Sequence, residues 1–161
     1  MLAPTLFPLT GDPVSKTRLN PSNLSPNIYK TLVKYDAQIY SETTLNKELI
    51  ELIKVRISQL NGCAFCIDVH SKHALSLGIA ERKLLLLNAW KEAPLFTEQE
   101  QAALRWAEQV TFIQNLDDKQ TPLHELKAHF NDKEIVDLTY LVGLINVWNR
   151  LAISMNYEIS L

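Results

Sequence analysis

Residues 51–73 read Glu51-Leu-Ile-Lys-Val-Arg-Ile-Ser-Gln-Leu-Asn-Gly-Cys63-Ala-Phe-Cys66-Ile-Asp-Val-His70-Ser-Lys-His73, and the Asn61-Gly62 step in the middle decides how the chain folds around it. Upstream, Leu49, Ile50, Leu52, Ile53, Val55, Ile57 and Leu60 spread apolar side chains over most of a helical circumference. That pattern belongs to a helix buried on nearly every side. It starts at Thr44 or Asn46 and stops at Asn61-Gly62, since glycine accepts the left-handed backbone that closes helices. A second helix begins at Cys63 and ends at Gly78. The stretch is therefore two consecutive helices hinged on one glycine.

Helical signals continue outward. Ser25-Pro26 offers an N-cap followed by proline at the first helical position, opening a helix to about residue 40. A helix is expected over 80–91. Thr97 with Glu100 forms a capping box for another to about residue 114, and Thr121-Pro122 opens a short one to 130. Asn131 with Glu134 caps a long final helix. No stretch alternates as a strand does. Residues 1–24 carry four prolines and Gly11-Asp12-Pro13, which reads as an extended arm. The expected fold class is all-α: an arm over 1–24, then a single domain over 25–161 with about seven helices.

Composition narrows the function. A chain of 161 residues is long enough for one well-buried core. It is 47% hydrophobic and 21% charged, which fits a globular protein, and its net charge of −2 offers no basic stripe for nucleic acid or anionic lipid. Only 4 glycines favour helix over sheet. The start, Met1-Leu-Ala-Pro-Thr-Leu-Phe-Pro, matches neither a signal nor a transit peptide. The apolar run 138–148 is too short for a membrane span and carries Thr139 and Asn146. A cytoplasmic protein is expected, in which a Cys-x-x-Cys pair is catalytic or metal-binding rather than structural.

Cys63 and Cys66 are the only cysteines. On one helix, Cys63, Cys66 and His70 fall at roughly 0°, 300° and 340°, so they share a face. Cys66 and His70 are one turn apart and can touch. Cys63 lies where unpaired N–H groups and the helix dipole favour a thiolate. Folding about Asn61-Gly62 can bring Glu51 against His70, where a buried carboxylate orients the imidazole and raises its basicity. Two thiols, a base and an orienting acid outline redox chemistry.

This constellation resembles the alkylhydroperoxidase-D-like (AhpD-like) branch of the carboxymuconolactone decarboxylase family. That branch has a glutamate, a Cys-x-x-Cys pair, and a histidine four residues past the second cysteine; Glu51, Cys63, Cys66 and His70 match in type and spacing. The likeness extends through Val55 to Gly62, Ala74 to Gly78, and Asn146 to Arg150, covering about two thirds of the chain. It implies an AhpD-like helical fold and a peroxidase cycle. Cys66 attacks a hydroperoxide and becomes a sulfenic acid. Cys63 gives a proton to the leaving alcohol and then closes a Cys63–Cys66 disulfide, while His70, supported by Glu51, accepts the thiol proton. Helix-start position alone favours Cys63 as nucleophile; the resemblance and the proximity of His70 favour Cys66. A dithiol or lipoyl-type reductant completes the cycle without a cofactor, and trimers or hexamers are the family's usual assemblies. Phe65 stands where well-known peroxidases of the branch carry a relay histidine. The extra His73, at roughly 280°, is either a substitute relay or a solvated helix residue.

Other readings compete. The cysteines could be small buried hydrophobes. Zinc on Cys63, Cys66, His70 and His73 would need four ligands within 11 residues of one helix, which cannot readily surround a metal, so no metal is expected. Glu51 could pair with Lys54 or Arg56. His124 and His129 are five apart, roughly 140° around a helix, and do not form a zinc-protease pair. Asn146, Trp148, Asn149 and Arg150 read as packing and hydrogen bonding. A decarboxylase acting on a muconolactone-like acid is the alternative enzyme, though its cysteine pair would be idle. A redox sensor or binding subunit using the same disulfide as a switch is the alternative outside catalysis. The arm's Leu2, Leu6, Phe7 and Leu9, with the apolar helices at 46–60 and 140–148, suit a homo-oligomer.

Overall fold

The computed structural model describes residues 17–115 and 121–159. Among them the chain forms eight α-helices: α1 (Pro21–Leu24), α2 (Pro26–Glu42), α3 (Lys47–Asn61), α4 (Ala64–Ser76), α5 (Glu81–Leu85), α6 (Glu98–Thr111), α7 (Thr121–Lys127) and α8 (Asp132–Met155). Two 3₁₀ turns, Leu87–Ala89 and Ile113–Asn115, follow α5 and α6. No strand occurs among the described residues. The expected all-α single domain is what the chain forms.

The central helix is α3, packed against α4, α6 and α8. Its residues from Leu49 to Ser58 are all buried, charged ones included. Lys54 and Arg56 remain in the interior because each meets a carboxylate: Lys54 Nζ lies 2.9 Å from Asp36 of α2, and Arg56 lies 2.8 Å from Glu108 of α6. Unpaired, either charge would be strongly destabilising there. The ion pairs also tie α3 to α2 and α6.

Helix ends follow local chemistry. Asn46 caps α3, accepting from Glu48 N at 2.8 Å. Gly62 ends it at φ 70°, and beyond it Cys63 N donates back to Ser58 O at 2.9 Å. Both expected capping boxes form, Thr97 with Glu100 and Asn131 with Glu134. Together these caps fix where α3, α6 and α8 begin.

Four features differ from expectation. The helix expected over 80–91 ends at Leu85 and tightens into the 3₁₀ turn. Leu84, Leu87 and Trp90, three apart, then all face the core at 9%, 0% and 1% exposure; a three-residue turn aligns that spacing, whereas α geometry would rotate it away. The helix expected to reach 114 stops at Thr111, and α7 stops at Lys127 rather than 130. Finally, Pro21–Leu24 is helical within the arm expected to be extended. Asn20 Oδ1 accepts from Ser22 N and Asn23 N at 3.0 and 3.3 Å, capping a turn that Pro21 starts. The rest of the arm's apolar residues, Leu2 to Leu9, lie outside the described residues.

Candidate active site

The Gly62 reversal folds α4 back along α3 and carries the cysteine pair with it. Cys63 is the N-cap of α4, its Sγ accepting from Cys66 N at 3.3 Å. The two cysteines are joined as a disulfide with Cα atoms 5.3 Å apart, within the ordinary range for such bridges. They expose 1% and 0% of their surface. Ala152 of α8 packs on the pair, with Phe65 and Tyr157 half-buried beside it.

One turn on, His70 is fully buried, and its Nδ1 lies 2.8 Å from Glu51 Oε2 on α3. The fold thus brings Glu51 to His70 across the hinge. The alternative partners are taken, since Lys54 and Arg56 bind Asp36 and Glu108. Burial pushes the His70 imidazole below its ordinary pKa, and Lys54 adds to this; the bond to Glu51 opposes it without prevailing. Burial would raise the Glu51 carboxyl, but the hydrogen bond from His70 and the charges that His70, Lys54 and His73 can carry hold it low. A neutral imidazole beside an ionised carboxylate donates through Nδ1–H. Nε2 is then the basic nitrogen.

His73 also reaches this carboxylate, with Nδ1 3.1 Å from Glu51 Oε1 and its side chain 16% exposed. Its ring lies 6.0 Å from that of Tyr40 on α2. Glu51 therefore lies between a buried histidine and one that meets solvent. Phe65 packs edge to face on Tyr157.

Polar contacts fix the hinge to α8. Asn61 Nδ2 donates to Asn146 and Asn149 at 2.9 and 2.8 Å, and Asn149 Nδ2 donates to Ser58 Oγ at 3.0 Å. Arg150 donates to Asn146 Oδ1 at 2.9 Å. Asn146, Asn149 and Arg150 are thus hydrogen-bonding residues, as expected, and Trp148 packs at 1% exposure. Sequence reasoning missed Asn61 as the anchor of this network, having read it only as a helix stop. It also missed Tyr157, for which no local pattern gives a signal. His124 and His129 line a separate surface cavity with Arg105 and Glu125.

The buried histidine has a consequence for stability. Its folded pKa lies below the unfolded value of about 6.5. Its contribution is therefore whole above about pH 6.5 and is lost as pH falls toward the folded value, where only the unfolded chain takes the proton. Glu51 has the same sign lower down: with its folded pKa depressed, its contribution shrinks as pH falls below the unfolded carboxylate value. The melting temperature is expected to drop between pH 7.5 and 5, with a slope of up to about 1.4 kcal/mol per pH unit for one proton. Thermal melts of the protein and of His70→Gln check this. Equal slopes in the two would show that His70 is not the group responsible.

A model of the carboxymuconolactone decarboxylase family matches residues 26–109, the span that holds Glu51, both cysteines, His70 and His73. The uncharacterised protein YdfG of Bacillus subtilis is 36% identical over 124 residues, 76% of this chain and 84% of YdfG. A structure from Agrobacterium tumefaciens superposes with a TM-score of 0.86 at 38% identity, covering 91% of this chain and 99% of the other. That protein is of unknown function, with a suggested role in antioxidant defence as AhpD. An uncharacterised peroxidase-related protein with an AhpD core, from Ralstonia eutropha JMP134, gives 0.76 at 19% identity, covering 86% and 74%. At that identity the likeness is one of fold.

Proposed function

The chain belongs to the carboxymuconolactone decarboxylase family as an AhpD-like member, and from that premise we propose that it is a thiol-dependent peroxidase acting on small hydroperoxides. The observation that carries the reading is the bridged cysteine pair one helical turn from a buried histidine held by an ionised glutamate.

The cycle conserves atoms and electrons. His70, through Nε2, accepts the Cys66 thiol proton. The thiolate attacks the terminal peroxide oxygen, so an S–O bond forms, the O–O bond breaks, and sulfur loses two electrons. The leaving alkoxide takes a proton from Cys63 and departs as the alcohol. Cys63 Sγ, now a thiolate, attacks Cys66 Sγ; the disulfide forms, the S–O bond breaks, and the hydroxide takes the proton held on His70 Nε2 and leaves as water. An external dithiol, of the lipoyl type or similar, restores both thiols by exchange. Glu51 holds the Nδ1–H tautomer throughout, with His73 beside its other carboxylate oxygen. The cycle requires no cofactor or metal. A decarboxylase leaves the cysteine pair without work, and a sensor needs the disulfide but not repeated turnover.

Multiple turnovers of cumene or tert-butyl hydroperoxide with dithiothreitol or dihydrolipoamide are the expected result. One oxidation per chain followed by arrest would make the protein a sensor instead. No helix among the described residues is long and apolar enough to cross a membrane. Nothing in the cycle needs nucleic acid, and a cytoplasmic setting suits its reductant. Val136, Tyr140, Val147 and Ile153 of α8 and Ile28 of α2 are apolar and exposed, which supports assembly into a trimer or hexamer. Light scattering is expected to report a multiple of the 18.4 kDa chain; a stable monomer at micromolar concentration would rule the assembly out.

A further inference from the structure

With Cys63 and Cys66 at 1% and 0% exposure, neither an oxidant nor a reductant can meet a sulfur in this conformation. The apolar side chains packed on the pair are Ala152, only 3% exposed, and the part-exposed rings of Phe65 and Tyr157. Those rings meet edge to face, with centroids 5.3 Å apart and planes at 89°. Among the described residues, the apolar layer over the sulfurs therefore meets solvent at this aromatic pair.

The two rings are held differently. Phe65 belongs to the first turn of α4 and moves with the cysteines. Tyr157 follows the left-handed Asn156 that ends α8, and its N–H donates to Ala152 O at 2.9 Å. Arg18 holds the same turn, its N–H donating to Met155 O at 2.9 Å and its guanidinium to Ser154 O at 3.3 Å. The backbone at Tyr157 is thus fixed, while its half-buried ring lies past the end of the helix and packs on Phe65 and the cysteine pair. Burial raises the phenol's pKa above its already high ordinary value, so the ring stays uncharged.

We infer that Tyr157, closed on Phe65, is the gate over the cysteine pair, and that the gap left when its ring swings aside limits the cross-section of whatever reaches Cys66. The gate rests on geometry alone. Its consequence for substrate choice rests on the peroxidase reading: a hydroperoxide that is slender next to the O–O bond enters faster than a tertiary one. Tyr157 is on this view a specificity-determining residue rather than a catalytic one.

Alkylation of the reduced protein tests the gate without any peroxide. Iodoacetamide and a bulky dye-maleimide would be compared on the protein, on Tyr157→Ala and on Tyr157→Phe, with mass spectrometry following the peptide that holds both cysteines. Tyr157→Ala is expected to raise the bulky-to-small rate ratio about tenfold, while Tyr157→Phe keeps the original ratio because the ring remains. Phe65→Ala, which opens the other half, is expected to act like Tyr157→Ala and replaces it if that variant fails to fold. An unchanged ratio in the alanine variants overturns the gate. A ratio raised equally in Tyr157→Phe also overturns it, because loosened packing would then be the cause. The ratio of kcat/KM for tert-butyl hydroperoxide to that for hydrogen peroxide should rise in parallel. If alkylation responds as expected while no variant consumes peroxide, the gate stands and the peroxidase reading falls.

Discussion

Cys66→Ser is expected to abolish peroxide turnover, by about three orders of magnitude or more, because in the proposed cycle it removes the atom that attacks oxygen. Cys63→Ser is expected to stop the cycle one step later, leaving a sulfenic acid on Cys66 with no thiol to resolve it. The asymmetry comes from position on α4. Cys66 lies within the first turn, four residues before His70, with Cβ atoms about 5–6 Å apart in helical geometry. Cys63 is the N-cap, close to the helix dipole but a further turn from the base. The dipole lowers a thiol's pKa, whereas a base one turn away removes the proton directly; the proximity of His70 favours Cys66. Dimedone labelling of each variant separates the two assignments. Label on Cys63 in Cys66→Ser, with turnover retained, would reverse the roles.

Glu51→Gln and His70→Gln are each expected to slow turnover by about one to three orders of magnitude, the usual range for losing a positioned general base. Their combination should cost little more than either alone, because the carboxylate acts only through the imidazole it orients. The geometry behind this is the 2.8 Å contact between Nδ1 and Oε2 at two fully buried groups. A glutamine at 51 keeps the shape but loses the charge that fixes the Nδ1–H tautomer. Pre-steady-state oxidation rates of Cys66 in the two single variants and the double variant measure the coupling. Additive losses would mean that Glu51 acts independently of His70, and wild-type rates would return both residues to a structural role.

Much of this site was legible in the sequence because it lies on two consecutive helices around one turn. Gly62, at φ 70°, is where a left-handed residue was needed, so the hinge and the meeting of Glu51 with His70 followed from local rules. The caps at Asn46, Thr97 and Asn131 were readable for the same reason, since each bond spans two or three residues. What could not be read depends on contacts distant in sequence. Tyr157 meets Phe65 only after α8 has packed along α3 and α4. Asn61 looked like a helix stop because its partners, Asn146 and Asn149, lie 85 and 88 residues away. The leucine run before Trp90 is uniformly apolar, so nothing in it marks a change from α to 3₁₀ spacing. His73 stayed undecided because its angle on α4 places it at the edge of the shared face. Its contact with Glu51 is set by how closely α3 and α4 pack.

The central claim is that a hydroperoxide oxidises Cys66 and that Cys63 resolves it. The most direct measurement is mass spectrometry of the reduced protein after one equivalent of hydroperoxide, with the alcohol product quantified alongside. The expected result is a loss of two hydrogens confined to the peptide holding Cys63 and Cys66, with one alcohol formed per chain. Two persistent free thiols beside unconsumed hydroperoxide would contradict it.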